Sequence, residues 1–564
     1  RLVAAAVLLW AVVAAAQLGL ALLDARRGMA ATVDTERDMT PEAVAAGRTG
    51  RHLDRARAAF GSARERTGGV AVAPLRVLPV VGRQLRSFGA LAGAAEQVSG
   101  AGATAAGSVR SALSGRADAP GRMELLGTLE RVTVETARAL DGVDLGPGRA
   151  LVPPLARRRA ELNRRLEDIG SALDRGTEVV GTVTRVLRGP KRYLFLAANN
   201  AEMRAGSGMF LEAGVLETRD GGLSLGPLRP TPELVLPGEG VPLDAELAAL
   251  WGWLGPGREW RNLGVTPRFD VTGRLAARMW EKLTGQRVDG VLAVDVEALR
   301  AVLAATGPVP VEGATVGAAE VVDRLLHDQY VRFGDDHTAR RDELGRIATA
   351  TLAALDAGRG QTGELVAGLA GAARARHVLA WAADEQDQRG WRAAGVSGEL
   401  SPSSLAVAVL NRGGNKLDRF LEVRNRLGGR PGRDGEEVVV TVNLSNSTPP
   451  GEPPYVAGPH PESGVGEGTY LGLVAVHVPG RATDVSVDAG PPLVTGTDGP
   501  TQVVAVPVVL ARGDERAVVV RFRLPGLPAP LRVEPSARVP PVVWHHGGSQ
   551  WRDDHARVAA APAR

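Results

Sequence analysis

Residues 191–208, KRYLFLAANNAEMRAGSG, contain the point at which this chain changes from helical to strand-like sequence. The first eight residues, Lys191 to Ala198, form a short and mainly apolar run directly after Gly189 and Pro190. A run of this kind, bounded by turn-forming residues, is typical of a buried strand. The next ten residues, 199–208, are mostly polar or small, and they predict a loop at the carboxyl end of that strand.

Strands and helices alternate downstream of this stretch. Further strands are predicted at 209–218, 223–228 and 290–294, and helices at 272–283, 296–306, 318–331 and 339–355. Such alternation predicts an α/β layer domain over residues 190–425. Sheets of this class bind ligands beyond the carboxyl ends of their strands, which makes the loop 199–208 a candidate site.

The sequence upstream is helical in character. Apolar residues recur three and four positions apart in segments rich in Ala, Leu, Arg and Glu, at 41–66, 81–114, 123–140 and 155–187. Gly and Pro residues separate these segments. Residues 34–187 are therefore predicted to form a helical stalk or bundle that acts as a spacer.

An uncharged apolar run, LVAAAVLLWAVVAAAQLGLALL, occupies residues 2–23. As a helix it would span about 33 Å, enough to cross a bilayer core of about 30 Å. A signal peptide cleaved near Ala14-Ala15-Ala16 is the alternative, but the apolar run is longer than a signal core. We therefore predict a transmembrane anchor at residues 1–24, in a multidomain protein.

The sequence after residue 430 is typical of an all-β region. Short β-branched runs, bounded by Gly, Pro, Asp and Asn, begin with VVVTVNL at 438–444 and recur as far as residue 524. They predict a β-sandwich over residues 430–525. The proline-rich segment 526–564 is predicted to be a flexible tail.

Composition excludes several classes of function. The net charge is +4, but only three residues are lysine and the arginines are interspersed with acidic residues. Aromatic residues make up 4%, too few for stacking platforms, so nucleic-acid binding is not expected. With no cysteine, thiolate metal sites and disulfides are excluded. The absence of cysteine is also compatible with an extracytoplasmic location.

Motifs of common enzyme classes are missing. No lysine follows a GxxxxG phosphate loop, and Gly206-Ser207-Gly208 lacks the spacing of a nucleophile elbow. His545-His546 is interpreted as a surface pair. A metal site around His327 and His337 is the weaker alternative to an ordinary polar surface, and no metal ligand is predicted.

Three polar loops of the α/β section each contain arginine, whose planar fork of donors suits phosphate. The first loop contains Arg204, and the second, at 260–270, contains Asn262 and Arg268. The third covers residues 330–341. The candidate ligand-binding residues are Arg204, Asn262, Arg268, Arg332, Arg340 and Arg341. A surface ion pair explains any one arginine as well, but three such loops together predict an anion-binding cleft.

Several stretches resemble a bacterial membrane-anchored family, domain of unknown function 4012. They are YLFLAANNAEMRAGSGMF from Tyr193, the long segment 260–313 that begins WRNLGVTPRFD, NKLDRFLEVRN from Asn415, and LPVVGRQLR at 78–86. The resemblance extends over about residues 50–525. It implies a membrane-anchored protein, but no biochemical activity.

The segment VDGVLAVDVEALRAVLAATGPVPVEG is also similar, more distantly, to the LytR–CpsA–Psr phosphotransferases. That resemblance implies one membrane helix, an extracytoplasmic α/β domain, and arginines that hold a polyprenyl pyrophosphate. Arg204 stands at the arginine of the family's Arg-x-Asp-Thr motif, whereas Gly206 and Ser207 replace its Asp and Thr. The carboxylate expected to hold Mg²⁺, the cofactor that the resemblance implies, is therefore missing.

Two functions follow from these features. The first is a single-pass plasma-membrane protein whose extracytoplasmic α/β domain binds a phosphorylated envelope lipid or glycopolymer, with a possible protein partner on the sandwich. The second is a phosphotransferase acting on polyprenyl-pyrophosphate-linked glycans, with Asp270 or Asp336 as base or metal ligand. The missing aspartate favours the first.

Overall fold

A computed structural model describes residues 2–116, 118–334, 337–432, 435–458, 463–526 and 530–559. Its contacts divide the chain into two compact units. The first comprises residues 1–116, 120–184 and 361–367, and the second comprises residues 117–119, 185–360 and 368–564.

The first unit is helical, as the spacing of its apolar residues predicts. Its helices are α1 (Leu2–Arg37), α2 (Pro41–Ala45), α3 (Arg48–Gly68), α4 (Ala73–Arg76), α5 (Pro79–Leu113), α6 (Ala119–Leu140) and α7 (Pro153–Arg188). The segment predicted at 41–66 is interrupted at Gly47, which has a left-handed backbone (φ +68°). Small residues bring helices close together: a Cβ at Gly28 of α1 would lie 2.7 Å from the ring of Phe60 on α3.

Helix α1 contains the apolar run but does not end with it. It continues beyond Asp24, the predicted end of the anchor, to Arg37. Asp24 is buried and accepts a 2.8 Å hydrogen bond from Nε of Arg66, so this part of α1 belongs to the folded unit. Within the described residues, α1 is the one helix long and apolar enough for a membrane span, a property that signal sequences share.

The second unit begins with a sheet in the order β3-β2-β1-β5-β8, with β4 paired to β2. Its strands are β1 (Lys191–Met203), β2 (Gly208–Arg219), β3 (Gly222–Leu225), β4 (Arg229–Pro230), β5 (Gly290–Val294) and β8 (Val378–Ala382). Only the β1–β5 pair is parallel among the described strands of this sheet. A small hairpin forms from β6 (Val309–Val311) and β7 (Ala314–Val316).

The helices after β4 are α8 (Ala245–Trp251), α9 (Phe269–Thr284), α10 (Val296–Thr306), α11 (Val321–Asp323), α12 (Gln329–Phe333), α13 (His337–Asp356), α14 (Thr362–Arg374), α15 (Glu385–Ala393) and α16 (Pro454–Ala457). Helices α9, α10, α13 and α15 pack on this sheet. Alternate residues of β1 enter two cores. Leu194 and Leu196 pack with Trp260, whereas Tyr193 and Phe195 pack in a separate cluster. The α/β character of the region is therefore confirmed.

Strand β1 is longer than predicted. It runs to Met203, through residues 199–203 that were predicted to be loop. These polar residues are compatible with a buried strand because they have partners. The Asn199 amide donates to Tyr330 Oη at 3.0 Å, and the Asn200 amide donates to Asp295 Oδ2 at 2.8 Å.

The rest of the chain is β-rich and forms two six-stranded sheets, in the orders β13-β16-β11-β10-β18-β19 and β14-β15-β12-β9-β17-β20. The strands are β9 (Ser404–Asn411), β10 (Leu421–Gly432), β11 (Gly435–Asn446), β12 (Tyr470–Pro479), β13 (Thr483–Val487), β14 (Val494–Asp498), β15 (Thr501–Leu510), β16 (Glu515–Pro525), β17 (Leu531–Val533), β18 (Val543–His546), β19 (Ser549–Arg552) and β20 (Arg557–Ala559). Side chains from both sheets share one core.

Two predicted boundaries differ from this arrangement. Strand β9 lies in the segment assigned to the α/β domain, yet it pairs with β12 of the β-rich region. All eight of its residues are buried, with Val407 facing the β core and Leu410 facing the α/β core. The expectation of a flexible tail is wrong for residues 530–559, which contribute β17 to β20 to the two sheets.

Candidate functional site

A polar cavity of about 540 Å³ lies beside the carboxyl end of β1. Its walls come from β1, β2, the 3₁₀ segment Trp260–Val265, helix α12, the end of β9 and helix α16. The charged lining residues are Glu202, Arg204, Glu212, Glu259, Arg261, Arg412 and Lys416. Four cations and three carboxylates therefore face one space, together with amide and tyrosine side chains.

Arg204 is the cation that follows β1 directly. Its guanidinium donates to three backbone carbonyls: from Nε to Arg261 at 2.9 Å, and from Nη1 to Met203 and Asn411 at 3.0 Å each. In the described part of the chain, no carboxylate forms an ion pair with it, and Nη2 has no hydrogen-bond acceptor. Arg204 is therefore held in place by neutral groups while two of its N–H donors stay available.

Two more arginines approach this group. Arg412 stacks over the Trp253 ring, 4.6 Å from its centroid, and none of the described carboxylates forms an ion pair with it. Arg261 binds Glu259 through two hydrogen bonds of 2.9 and 2.7 Å. Burial, together with repulsion from Arg261 and Arg412, lowers the pKa of Arg204 to about 10.

Lys416 is the most buried of the four cations that line the cavity. It is buried, makes an ion pair with Glu202, and lies 5.4 and 5.1 Å from the ring centroids of Tyr330 and Tyr455. The two tyrosine rings stack on each other at 5.7 Å. Burial lowers the pKa of the Lys416 ammonium, whereas the neighbouring Asp418 carboxylate favours its charged form.

A buried carboxylate, Asp418, organises the residues behind the cavity. It accepts hydrogen bonds from Met203 N at 3.0 Å, from the Asn411 amide at 2.9 Å and from Tyr470 Oη at 3.2 Å. Arg538 forms a 2.8 Å ion pair with it. Arg538 is therefore the ion-pair partner of Asp418, while the Asp418 carboxylate also favours the charged form of Arg204 from a longer distance.

The cavity contains two of the predicted ligand-binding residues, Arg204 and Asn262. Asn262 is held by a 2.8 Å hydrogen bond from its amide to the carbonyl of Leu254. The other residues of this cavity were not proposed from sequence. Lys416 and Asp418 lie in the NKLDRFLEVRN stretch, whose closely spaced charges and asparagine were the available signal.

Arg268 and Asp270 lie elsewhere, which corrects the expectation that they join Arg204. Arg268 is paired with Asp498 at 3.1 Å, Glu246 at 3.5 Å and Asp270 at 3.6 Å. Burial raises the pKa of Asp270. Neither Arg268 nor Asp270 lines the cavity. Three carboxylates of the protein therefore already balance the positive charge of Arg268.

The third predicted loop contributes Tyr330 rather than Arg332. Arg332 is exposed on α12, with its guanidinium 4.9 Å from the centroid of the Phe333 ring, and does not line the cavity. Asp336 lies outside the described residues. The backbones of Arg340 and Arg341 lie in α13, but their side chains are outside the described set.

No cluster of three or more His, Asp or Glu residues suited to a metal ion occurs among the residues that the structure describes. His327 contacts Asp328 at 3.1 Å and Glu452 at 3.0 Å. His545 and His546 belong to strand β18.

Comparison with known proteins identifies one family. Residues 188–330 match the family described as "Protein of unknown function (DUF4012)". The predicted resemblance to this family is therefore confirmed over these residues. The matched region contains Arg204, Arg261 and Asn262, whereas Arg412 and Lys416 lie beyond it. No curated protein and no solved structure matches the chain.

Proposed function

We propose that the cavity beside β1 of this DUF4012-family region binds the phosphate or pyrophosphate group of an envelope lipid or glycopolymer. The main support for this proposal is that three guanidinium groups line one cavity. Two of them, those of Arg204 and Arg412, have no carboxylate partner in the described residues. A pyrophosphate would replace the missing counter-charge and accept hydrogen bonds from the free Nη2 of Arg204.

Arg204 is positioned before any ligand arrives. Three carbonyl acceptors hold its guanidinium, so little side-chain freedom is lost when an anion binds. Burial also strengthens its attraction for an anion, because the charge is less screened by water. Neighbouring Arg412 and Arg261 would extend the site to a second phosphoryl group.

A membrane anchor would hold the chain at a membrane, where lipid-linked ligands occur. Large apolar side chains of α1, such as Leu9 and Leu22, are exposed, as expected for lipid contact. Trp10 Nε1 donates to the carbonyl of Ala71 at 2.8 Å. This contact lies upstream of the alternative cleavage site and supports a helix that is retained. We propose a single-pass protein with the bulk of the chain extracytoplasmic.

The remaining finer assignments are also proposals. The shared core of the two six-stranded sheets supports a β-sandwich, on which a protein partner is expected. The LytR–CpsA–Psr likeness of the α/β region is supported by an arginine directly after its first strand.

A binding role is favoured over phosphotransfer. The transferase motif requires a carboxylate two residues after Arg204, but a Cβ at Gly206 would lie 2.9 Å from the carbonyl oxygen of Thr266. Asp270, the proposed base, is beside Arg268 instead of in the cavity. The cavity carboxylate Glu202 is paired with Lys416. None of these features supports a Mg²⁺ site next to Arg204.

Equilibrium dialysis of the full chain in detergent with farnesyl pyrophosphate tests the binding proposal. We expect Arg204→Gln to weaken binding about 10- to 100-fold, because hydrogen bonds between charged groups contribute about 1.5–3 kcal/mol. Arg332→Gln, which removes an exposed arginine outside the cavity, is the matched control and should leave binding unchanged. Equal affinity of all three proteins would reject the proposal.

The transferase alternative has its own readout. The protein is incubated with Mg²⁺ and a polyprenyl-pyrophosphate-linked glycan, and release of polyprenyl phosphate or pyrophosphate is followed. We expect none. Release that depends on Arg204 would replace the binding role by catalysis.

A further inference from the structure

The connection between α3 and α5 exposes an unusual concentration of apolar side chains. We call residues 70–81 the apolar tip. Its exposed members, with the fraction of each residue exposed, are Val70 (91%), Val77 (83%), Leu78 (46%), Val80 (72%) and Val81 (42%). Single exposed apolar residues are ordinary, but five within twelve positions mark a surface that is covered by something.

The apolar tip lies beside the apolar part of α1. The hydrogen bond from Trp10 Nε1 to Ala71 O joins the two segments. Further along α1, Arg66 reaches Asp24 at 2.8 Å and Gln17 at 3.4 Å, so α3 runs back along α1 toward the tip. The tip is therefore level with the apolar run of α1.

Three arginines lie within the tip or directly after it in the chain. Arg76, Arg83 and Arg86 form no ion pair with any carboxylate in the described part of the chain, and Arg86 Nη1 donates to the carbonyl of Arg76. Arg76 and Arg86 line a 510 Å³ cavity next to Gly69, together with Arg64, which is paired with Glu96. Exposed valines with arginines behind them are the arrangement of protein surfaces that enter an anionic bilayer.

We propose that the apolar tip is a second membrane-contact element, which inserts its valines beside α1 and binds acidic phospholipid headgroups through Arg76, Arg83 and Arg86. The occupant of this surface is the bilayer itself, because the surface is continuous with the segment proposed to cross it. This inference rests on the anchoring part of the proposed function. It adds a fixed orientation of the helical unit on the membrane, which a single spanning helix would not provide.

The absence of cysteine permits a direct test. Single cysteines replace Val77, Val80 or, as control, Val134, which is 37% exposed on α6. Each full-length variant carries an environment-sensitive fluorophore and is reconstituted, one copy per disc, in nanodiscs of phosphatidylcholine with or without phosphatidylglycerol. We expect a blue shift and quenching by nitroxide-labelled lipid at Val77 and Val80, but not at Val134.

A fluorophore at position 13, where Val13 is exposed on α1, tests the anchor separately from the tip. Quenching at Val13 without quenching at Val77 would overturn this inference and leave the anchor intact. Absence of quenching at both Val13 and Val77 would overturn both the anchor and the membrane contact of the tip. Shielding of Val77 that appears only with two copies per disc would assign the surface to a second copy of the chain, against the inference.

The arginines have a separate prediction. Arg76, Arg83 and Arg86 changed together to Gln should abolish the dependence of Val77 quenching on phosphatidylglycerol. The matched control variant changes Arg131, Arg138 and Arg157 to Gln. It should retain the dependence of Val77 quenching on phosphatidylglycerol. An unchanged dependence in the first variant would overturn the headgroup contact.

Discussion

Two polar loops of the α/β region each contain an arginine, and the two arginines differ in their surroundings. Arg204 is held by three backbone carbonyls and has no ion-paired carboxylate in the described residues, whereas Arg268 lies between 3.1 and 3.6 Å from three carboxylates. An incoming anion would gain little from a guanidinium that is already neutralised. The pairing of an arginine, more than its presence in a loop, therefore identifies a ligand site.

Arg204 has no ion-pair partner in the described residues because the neighbouring acid, Asp418, pairs with Arg538. Asp418 is close enough to influence Arg204, but Arg538 forms its ion pair. Both members of that pair are buried, with side chains about 1% exposed or less. The pair therefore links the structural support of the cavity to a segment near the end of the chain.

Removal of Asp418 should have the largest effect on stability. Asp418→Ala leaves Arg538 buried without a counter-charge, which costs about 3–5 kcal/mol of the free energy of unfolding. Urea denaturation followed by tryptophan fluorescence measures this change. Glu422→Ala, which removes an exposed partner of Arg424, is the control and should cost less than about 1 kcal/mol. Similar losses in the two variants would contradict the proposed role of Asp418.

The surroundings of Arg268 should show a pH dependence. His477 is fully buried, and burial lowers its pKa to about 4. The unfolded chain, with a histidine pKa near 6.5, binds this proton first as pH falls, so stability decreases between about pH 6.5 and 4. The total loss in the free energy of unfolding is about 3 kcal/mol for a pKa shift of this size.

Denaturation midpoints of the wild type and His477→Leu, measured from pH 7 to 4, check this expectation. The variant should lose less stability on acidification than the wild type. Parallel pH profiles would mean that His477 titrates as it does in the unfolded chain.

Substitution of Glu259 should have a smaller effect on ligand affinity, and it tests the contrast between the two loops from the opposite direction. Glu259→Gln removes the bidentate partner of Arg261 and gives the cavity a third unpaired arginine. Pyrophosphate affinity should rise about fivefold, the effect of about 1 kcal/mol from one nearby charge. Titration calorimetry at low salt gives the constant, with Glu281→Gln, an exposed partner of Arg287, as control. Weaker binding would indicate that Glu259 itself contacts the ligand.

Local sequence signals predicted the elements but not all of the neighbours. The apolar run after Gly189 predicted β1, and the arginine after it lies in the cavity. Arg412 and Lys416 come from the end of β9 and the turn after it, about 200 residues later in the chain. Their position depends on the pairing of β9 with β12, a long-range contact that spacing and composition do not encode.

Proline content misled the prediction for the end of the chain. Prolines at 528, 530, 540 and 541 indicated a tail, yet Arg538 is buried against Asp418 and β17 pairs with both β9 and β20. A tertiary ion pair and short edge strands give this segment a fixed place that local propensity does not reveal.

The most direct test of the contrast between the two loops is calorimetric titration of the full chain with pyrophosphate, comparing Arg204→Gln with Arg268→Gln. We expect the Arg204 variant to lose affinity about 10- to 100-fold. The Arg268 variant should bind as the wild type does, even if its stability falls. Equal losses, or a loss confined to Arg268→Gln, would contradict the assignment of the anion site to the cavity beside β1.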